Sequence, residues 1–307
     1  MPVIECVPNV SEGRRVDCVE RLAGALAAVR GVKLLDVSSD GAHNRSVLTC
    51  AGSAPALEAA VVALVVQALG EIDLRTHRGV HPRLGAVDVV PFVPLAGATM
   101  SACVALARVV GREIASRFSL PVYLYEEAAT SPARRRLEDI RRGGFEGLSA
   151  KMREAAWAPD YGPSAPHPTA GATVVGARGI LVAYNVNLAT DQLSVARAVA
   201  RAVRESGGGL PTVKAIGLAL EDRGIVQVSM NLTKPETTSV ARAFDAVSAE
   251  AKRLGVDVLE SEIVGLVPRA ALAGRTPAAL RLARFGQHQI LEQRLADSGL
   301  LEPSPSE

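Results

Sequence analysis

The feature that most constrains the fold is a repeated order of strand-like and helix-like segments. In the first half, alternating apolar residues and turn signals predict strands and helices in the order strand 4–7, helix 14–29, strand 32–37, strand 46–50, helix 54–69 and strand 86–93. In the second half the order is strand 181–186, helix 192–205, strand 213–220, strand 225–231, helix 237–254 and strand 256–267. Each half is therefore predicted to have the order βαββαβ.

Three pairs of short matches keep this repeat nearly in register. Asn9-Val10 corresponds to Asn185-Val186, Val32-Lys33 to Val213-Lys214, and Val93-Pro94 to Val267-Pro268, at nearly constant offsets. Two sheets that are each covered by helices on one face leave their other faces free to meet. The sequence thus predicts an α+β protein of two ferredoxin-like subdomains that form a cleft between them.

The connection between the two repeats divides the chain. It contains predicted helices at 98–118 and 132–142, a strand PVYLY, and a stretch rich in proline and glycine over 157–171. A long loop of this kind in a compact chain is usually functional or disordered, and Trp157 and Tyr161 as anchors favour order here. We expect an N-terminal subdomain over 1–176, a C-terminal subdomain over 177–300 and a tail over 301–307. Ser11 or Glu12 is expected to cap the first helix.

Composition excludes several classes of function. Lys and Arg number 34 against 32 Asp and Glu, so the net charge of +2 does not favour a nucleic-acid partner. The most apolar helix, 54–69, contains Glu58 and Gln67 and is expected to be too short and too polar to span a membrane. Four cysteines without a CxxC pair indicate buried free thiols in a reducing compartment. The sequence predicts a cytoplasmic protein.

The segment HRGVHPRLGAVDVVPF, residues 77–92, carries the densest group of reactive side chains. His77 and His81 have the spacing of a helical zinc pair, but Gly79 and Pro82 disfavour a helix here, and the chain contains no HExxH motif. A loop is favoured, and no metal is expected. An imidazole such as His81 at the start of a strand can transfer protons at neutral pH, and Arg83 beside it suits a carboxylate.

Other common reaction centres are not indicated. SGGGLP lacks the GKS/T ending of a phosphate-binding loop, and GATVVGARG precedes a strand instead of opening a helix. No GxSxG motif is present for a serine hydrolase. A second polar group, His43-Asn44-Arg45, lies between two predicted strands. By composition alone, a generic α/β scaffold remains open.

Several motifs in order resemble those of the formiminotransferase domain. They are ECVPNVSEG, LLDVSSDGAHNRSV, HRGVHPRLGAVDVVPFVP, PVYLYEEAA, WAPDYGPSAPHPTAGATVVGAR and LVAYNVNL. The resemblance implies two facing ferredoxin-like subdomains, a homodimer, and transfer of a formimino group from N-formimino-L-glutamate to N5 of tetrahydrofolate, which serves as co-substrate. It implies no metal, no nucleic acid and no membrane.

The resemblance also implies site residues. The catalytic histidine corresponds to His81, and His77 is expected to shape the site. The folate-binding stretch corresponds to ten residues, namely Gly162, Pro163, Ser164, Ala165, Pro166, His167, Pro168, Thr169, Ala170 and Gly171. Family members with an aspartate at the position of Ser38 suggest that Asp40 substitutes for it here.

The remaining substrate contacts are hypotheses from residue type. For the carboxylates of glutamate and folate the candidates are Arg45, Arg83 and Arg178, because a planar guanidinium suits a carboxylate. The other candidates near the substrates, the pterin among them, are Asp40, His43, Asn44, Tyr161, Asn185 and Gln227. We also expect that folates with a polyglutamate tail are accepted.

Two alternatives remain open at this point. One alternative is another enzyme of the same family, which uses formiminoglycine as the donor or acts on 5-formyltetrahydrofolate. The other alternative is a non-catalytic folate-binding protein of the same fold, against which the intact HPR motif argues.

Overall fold

A computed structural model describes residues 2–80 and 82–302. The chain divides into two compact units, Met1–Arg178 and Gly179–Glu307. The predicted catalytic residue His81 and the end of the predicted tail lie outside the described residues.

Unit 1 is built on one sheet of seven strands. Its strands are β1 (Ile4–Cys6), β2 (Asn9–Val10), β3 (Val32–Asp40), β4 (Arg45–Gly52), β5 (Val87–Pro94), β6 (Val122–Glu126) and β7 (Thr173–Ala177). Its helices are α1 (Val16–Ala27), α2 (Ala54–Glu71), α3 (Met100–Phe118), α4 (Leu137–Arg141) and α5 (Gly144–Lys151), with 3-10 turns at Pro132–Arg134 and Ala155–Trp157.

The first repeat forms the antiparallel part of this sheet. β1 and β2 both lie between β4 and β5, and β3 pairs with the outer edge of β4. Beyond β5 the sheet continues through β7 and β6, which pair in parallel. The parallel strand β7 was not predicted as a strand, because its two apolar valines lie between glycine-containing segments.

Helices cover both faces of the unit 1 sheet. α1, α2 and α3 pack on one face around residues such as Leu22, Leu64 and Phe92. α4 and α5 pack on the other face over a smaller apolar cluster that contains Tyr123, Tyr125, Ile140 and Leu148. Aliphatic side chains and alanine fill most of the core, and all four cysteines are free and buried, as predicted.

Helix α2 is, by length and composition alone, apolar enough to cross a membrane, with a mean hydropathy of 1.5. Its residues Leu57, Val61, Leu64 and Val65 are buried against the unit 1 core. A core helix meets the same criteria of length and composition, and these contacts give α2 that place.

Unit 2 has one antiparallel sheet of four strands. Its strands are β8 (Val182–Leu188), β9 (Val213–Leu220), β10 (Ile225–Leu232) and β11 (Val258–Val264), in the spatial order β11-β8-β10-β9. Its helices are α6 (Leu193–Val203), α7 (Val240–Arg253) and α8 (Leu291–Asp297). α6 and α7 pack on the face of the sheet that presents Tyr184, Val186 and Val228. The element order βαββαβ predicted for this half is confirmed.

Two local predictions were wrong. The helix expected over 132–142 is a 3-10 turn followed by the single turn and a half of α4, which ends where Gly143 and Gly144 take positive φ angles of 91° and 60°. Helix α1 begins at Val16 after Arg15, without a side-chain cap. Glu12 Oε1 instead accepts hydrogen bonds from the N–H groups of the three residues before the helix, at 2.9–3.0 Å.

Gly85 lies where two backbone segments of unit 1 come closest. A Cβ at this position would lie 2.1 Å from the carbonyl oxygen of Ala172, a backbone atom that cannot move alone. We predict that Gly85→Ala lowers the free energy of unfolding by at least about 1–3 kcal/mol, the usual effect of overpacking. Urea unfolding followed by circular dichroism measures this.

The matched control is Gly24→Ala in α1. A Cβ there meets no atom within 4 Å. Alanine in a helix interior is more favourable than glycine by about 0.5–1 kcal/mol, so this variant is expected to be slightly stabilised. Equal effects of the two substitutions would contradict the close approach at Gly85.

Candidate functional site

Three loops meet at one end of the unit 1 sheet, and Asn44 joins them. Its side-chain Oδ1 accepts a hydrogen bond from Gly13 N at 3.0 Å, and its Nδ2 donates to the Arg78 carbonyl at 2.9 Å. Its own carbonyl accepts from His77 Nε2 at 2.9 Å. Asn44 has a positive φ of 49°, a conformation that asparagine tolerates better than most residues. The three loops are therefore held by one residue that sequence reasoning had assigned to substrate.

Glycines let these loops approach each other. A Cβ on Gly79 would lie 2.3 Å from the His43 carbonyl oxygen, and a Cβ on Gly13 would lie 2.4 Å from the Asp40 carbonyl oxygen. Val80 N donates to the Ala42 carbonyl at 3.4 Å. The described residues around position 81 are thus packed directly against the turn between β3 and β4.

His77 is a buried structural histidine. Only 7% of its surface is exposed, and burial, the largest cause, lowers its pKa from the ordinary value. The lowered pKa favours the neutral ring, and the contact with a carbonyl places its one proton on Nε2. This contact supports the expectation that His77 shapes the loop.

Asp40 and His43 are hydrogen-bonded to each other where β3 ends and the turn to β4 begins. His43 Nδ1 lies 2.7 Å from Asp40 Oδ2, and His43 N donates to Asp40 Oδ1 at 2.9 Å. These bonds, with the side-chain bond to His43 as the largest cause, lower the pKa of Asp40 to about 2. Asp40 is therefore ionised at neutral pH and orients the imidazole of His43.

Arg83 is engaged by an acidic partner on α5. Its NH2 donates to Glu146 Oε1 at 2.7 Å and to the His77 carbonyl at 3.4 Å. A substrate carboxylate at Arg83 would therefore compete with Glu146.

The stretch 162–171 falls into two parts with different surroundings. At its start, Gly162 has a φ of 88°, and the preceding Tyr161 packs against Gly111 of α3. The guanidinium of Arg112 lies 5.8 Å from the centre of the Tyr161 ring. Tyr161 is thus an anchor of the loop, on a groove of about 710 Å³ beside α3.

The second part, 167–171, is a tight loop closed by His167. His167 N donates to the Gly171 carbonyl at 2.8 Å, and Gly171 N donates back at 2.9 Å. His167 Nδ1 accepts from Ala170 N at 3.1 Å, so a neutral ring with its proton on Nε2 is required. Burial lowers the pKa of His167, which keeps the ring in this neutral form.

This loop is bonded to the segment between α2 and β5. Leu74 N donates to Thr169 O at 2.8 Å, Ala86 N to Ala170 O at 3.0 Å, and Ala172 N to Leu84 O at 3.1 Å. The segment that follows the HPR motif and the predicted folate-binding stretch are therefore one structural piece.

Three arginines surround Tyr125 on the face of the unit 1 sheet opposite α1–α3. Arg141 and Arg178 lie close enough to affect the pKa of Tyr125, and Arg45 interacts with both Tyr125 and Arg141. Arg45 donates to Asn9 Oδ1, and Arg141 forms an ion pair with Asp88. We call Arg45, Arg141 and Arg178 the arginine cluster.

Burial shifts the pKa values of two groups in and beside the arginine cluster, Arg45 and Glu5. Burial, followed by repulsion from Arg141, lowers the pKa of Arg45 to about 9, which leaves it a cation at neutral pH. Burial raises the pKa of Glu5 to about 7, against the opposing effect of Arg178. Three cations thus lie near three carboxylates, Asp88, Glu126 and Glu5, and burial favours the protonated form of Glu5. This balance suits an anion.

The face of the unit 2 sheet opposite α6 and α7 carries a network of five hydrogen-bonded polar side chains on three adjacent strands. We call Asn185, Asn187, Gln227, Glu260 and Glu262 the carboxylate–amide face. Asn185 Nδ2 donates to Glu262 Oε1 and Asn187 Nδ2 to Glu260 Oε1, both at 3.0 Å. Gln227 Nε2 donates to Asn187 Oδ1 at 3.0 Å and to Glu262 Oε1 at 3.1 Å.

Within residues 2–80 and 82–302, no group of three or more histidine, cysteine, aspartate or glutamate side chains is arranged to hold a metal ion.

Comparison with family models covers almost the whole chain. The formiminotransferase domain, N-terminal subdomain, matches residues 3–178, and the formiminotransferase domain model matches residues 183–281. The chain belongs to the formiminotransferase family. The resemblance inferred from the motifs is thereby confirmed.

Named relatives agree with the family models. A glutamate formimidoyltransferase of Streptococcus pyogenes serotype M1 is 46% identical over 95% of this chain and 98% of its own. That of Thermoplasma acidophilum is 45% identical over 98% of this chain and 100% of its own. A formimidoyltransferase-cyclodeaminase of Rattus norvegicus is 40% identical over 88% of this chain and 51% of its own.

Sequence reasoning missed several residues of this formiminotransferase. Arg141 and Asp88 pair although 53 residues separate them, and Tyr125 and Glu5 join them only through the sheet. On unit 2, Asn187, Glu260 and Glu262 were missed beside the predicted Asn185 and Gln227. Polar residues alternating with apolar ones in NVNL and ESEIV carried a signal for the second group.

Glu5 provides a test of the buried charge in this formiminotransferase. Its pKa is raised from 4.5 to about 7, so the folded state binds the proton more tightly than the unfolded state. The contribution to stability is fully present below about pH 4.5 and is lost as the pH rises through about 7. Titration of Glu5 is expected to lower the free energy of unfolding of the wild type by about 3 kcal/mol between pH 5 and 8. We predict that Glu5→Gln does not show this decrease.

Urea unfolding at pH 5, 6, 7 and 8 measures this difference. Glu20→Gln on the exposed side of α1 is the control and is expected to follow the wild type at every pH. A Glu5→Gln curve parallel to that of the wild type would show that Glu5 does not titrate in this range.

Proposed function

We propose that this chain transfers the formimino group of N-formimino-L-glutamate to N5 of tetrahydrofolate, giving 5-formiminotetrahydrofolate and L-glutamate. The observation that carries the proposal is the family match together with relatives named glutamate formimidoyltransferase that align over nearly their whole length. The chain is accordingly a transferase.

The finer fold assignment is also a proposal. In unit 2 the order βαββαβ and the strand order β11-β8-β10-β9 support a ferredoxin-like subdomain. In unit 1, β5, the paired β1 and β2, β4 and β3 follow the same order before β7 and β6 extend the sheet. The expected cleft between the subdomains stays a prediction.

The reaction requires one proton to move between two nitrogen atoms. Attack of N5 on the amidine carbon gives a tetrahedral intermediate, from which the glutamate nitrogen must leave as a neutral amine. A proton therefore leaves N5 and reaches the departing nitrogen. We assign this transfer to His81, since a single imidazole can act as base and then as acid, typically worth about 10²–10⁴-fold in rate. The chemistry is complete without a metal or a redox cofactor.

We assign the carboxylates of the donor to the arginine cluster. Guanidinium groups bind carboxylates in a planar, two-bond geometry, and the cluster has more positive than negative charge. Arg45 and Arg178 were candidates from residue type, and Arg141 joins them. Arg83 ranks lower because Glu146 is already bonded to it.

We assign folate binding to 162–171. Its bonds to the segment 74–86 support this role, since a ligand held by one loop is then positioned relative to the other. We further propose a cytoplasmic homodimer that binds tetrahydrofolate, including polyglutamylated forms, and neither nucleic acid nor membrane.

A coupled assay that measures the release of glutamate is the direct test of the function. Purified wild-type protein is expected to release glutamate from formiminoglutamate only when tetrahydrofolate is present. Formiminoglycine in place of formiminoglutamate tests the alternative donor, and 5-formyltetrahydrofolate tests the alternative folate. Release of glutamate without tetrahydrofolate, or none in its presence, would overturn the proposal.

Substitutions of the two histidines of the segment HRGVHPR, residues 77–83, are expected to have different effects. His81→Ala is expected to reduce kcat by at least about 10²-fold, with an unfolding curve like that of the wild type. His77→Ala is expected to lower the free energy of unfolding by about 1–3 kcal/mol, because the Asn44 carbonyl loses its buried donor. Near wild-type turnover of His81→Ala would remove it as the acid–base.

Arg45 separates binding from chemistry. We predict that Arg45→Ala raises KM for formiminoglutamate by roughly 10-fold or more, the effect of losing a charged hydrogen bond. Arg117→Ala, an exposed arginine of α3 paired with Glu113, is the control. Steady-state kinetics with the donor varied distinguish the two, and an unchanged KM in Arg45→Ala would assign the donor carboxylates elsewhere.

A further inference from the structure

The carboxylate–amide face has a fixed direction of hydrogen bonding. A carboxylate can only accept, so Glu260 and Glu262 require the amide nitrogens of Asn187 and Asn185 to point toward β11. The oxygen of Asn187 then faces β10, and Gln227 must donate to it. The two glutamates therefore set the orientation of all three amides.

This orientation leaves acceptors available on the face. Glu262 Oε1 already receives two amide donors, whereas Glu262 Oε2 receives no hydrogen bond from the described part of the chain. Gln227 is only 3% exposed, and within the same residues its side-chain oxygen also lacks a donor. Oxygens without donors beside a carboxylate suit a ligand that brings its own N–H groups.

The two glutamates differ in charge compensation. Glu260 Oε1 lies 2.8 Å from the guanidinium of Arg223, which lowers its pKa. Glu262 has no lysine or arginine within ion-pair distance among residues 2–80 and 82–302. Its contacts there are two neutral amides, so its negative charge remains for a ligand.

We propose that Glu262, with the oxygens of Asn185 and Gln227 beside it, binds the N–H edge of an amidine-type group in a substrate, an inference that rests on the proposed transfer activity. Such an edge presents two N–H donors in one plane, one for Glu262 Oε2 and one for a neighbouring amide oxygen. Glu262 is thus a specificity-determining residue that selects nitrogen over oxygen at this point of the ligand.

Two parts of the substrates have this chemistry. One is the formimino group of the donor, a protonated amidine. The other is the edge of the reduced pterin formed by N3–H and the 2-amino group, which is neutral. The uncompensated charge of Glu262 favours the cation, so we expect the donor to be the ligand.

The experiment compares each ligand with an analogue that lacks the N–H edge. N-Formyl-L-glutamate replaces the formimino nitrogen with oxygen, and a tetrahydrofolate with a methyl group in place of the 2-amino group removes the pterin donor. Dissociation constants of all four compounds are measured by calorimetry on the wild type, Glu262→Gln and Asn185→Ala. Glu236→Gln, an exposed glutamate outside the carboxylate–amide face, is the control.

Glu262→Gln is expected to raise the dissociation constant of formiminoglutamate by roughly 10-fold to 100-fold and to change that of N-formylglutamate by no more than about twofold. Asn185→Ala keeps the carboxylate and is expected to raise the dissociation constant of formiminoglutamate less than Glu262→Gln does. The same pattern with tetrahydrofolate and its methyl analogue would support the same N–H recognition with the pterin as its source. Equal changes for parent and analogue, or no change, would overturn the proposal.

The wild-type coupled assay separates this inference from the proposed function. If the wild type transfers the formimino group but Glu262→Gln keeps the wild-type preference for nitrogen over oxygen, only the role of Glu262 fails. If the wild type shows no transfer, the proposed function itself fails. Urea unfolding of both variants shows whether a loss of binding reflects a loss of fold.

Discussion

The arrangement of the unit 1 loops depends on Asn44. Asn44, in a left-handed backbone conformation, bonds Gly13 of one loop and the adjacent His77 and Arg78 of another, so that three loops far apart in the chain are joined. Both polar groups of its side chain and its carbonyl are used inside the protein, where unmade hydrogen bonds cost about 1–3 kcal/mol each. The described residues that precede position 81 are therefore held in place by hydrogen bonds within unit 1.

The two candidate binding surfaces have opposite electrostatic character. On unit 1 the arginine cluster has more positive than negative charge, since burial holds Glu5 partly protonated near neutral pH. On unit 2 the carboxylate–amide face presents oxygens and one uncompensated carboxylate. The arginine cluster therefore suits an anionic group, and the carboxylate–amide face suits a group that donates hydrogen bonds.

Both surfaces contain buried polar groups, and each of these groups has a hydrogen-bond or ion-pair partner that the fold brings close to it. Asp88 is 2% exposed and pairs with Arg141 while it also accepts from Leu84 N at 2.7 Å. Asn187 is 1% exposed and both its amide atoms are bonded. Removing one partner from such a network costs more than the bond itself, because the other partner stays buried and unsatisfied.

The sequence by itself determined the order of the elements in both halves and the family. Alternation with period 2 and period 3.6 is local, so β8–α6–β9–β10–α7–β11 could be predicted from one segment at a time. The tertiary structure alone decided that β7 and β6 join the first sheet, that Asn44 is a clamp, and that Arg141 meets Asp88. Those contacts connect residues tens of positions apart. Strand pairing and burial bring these residues together, and a local sequence pattern does not indicate either.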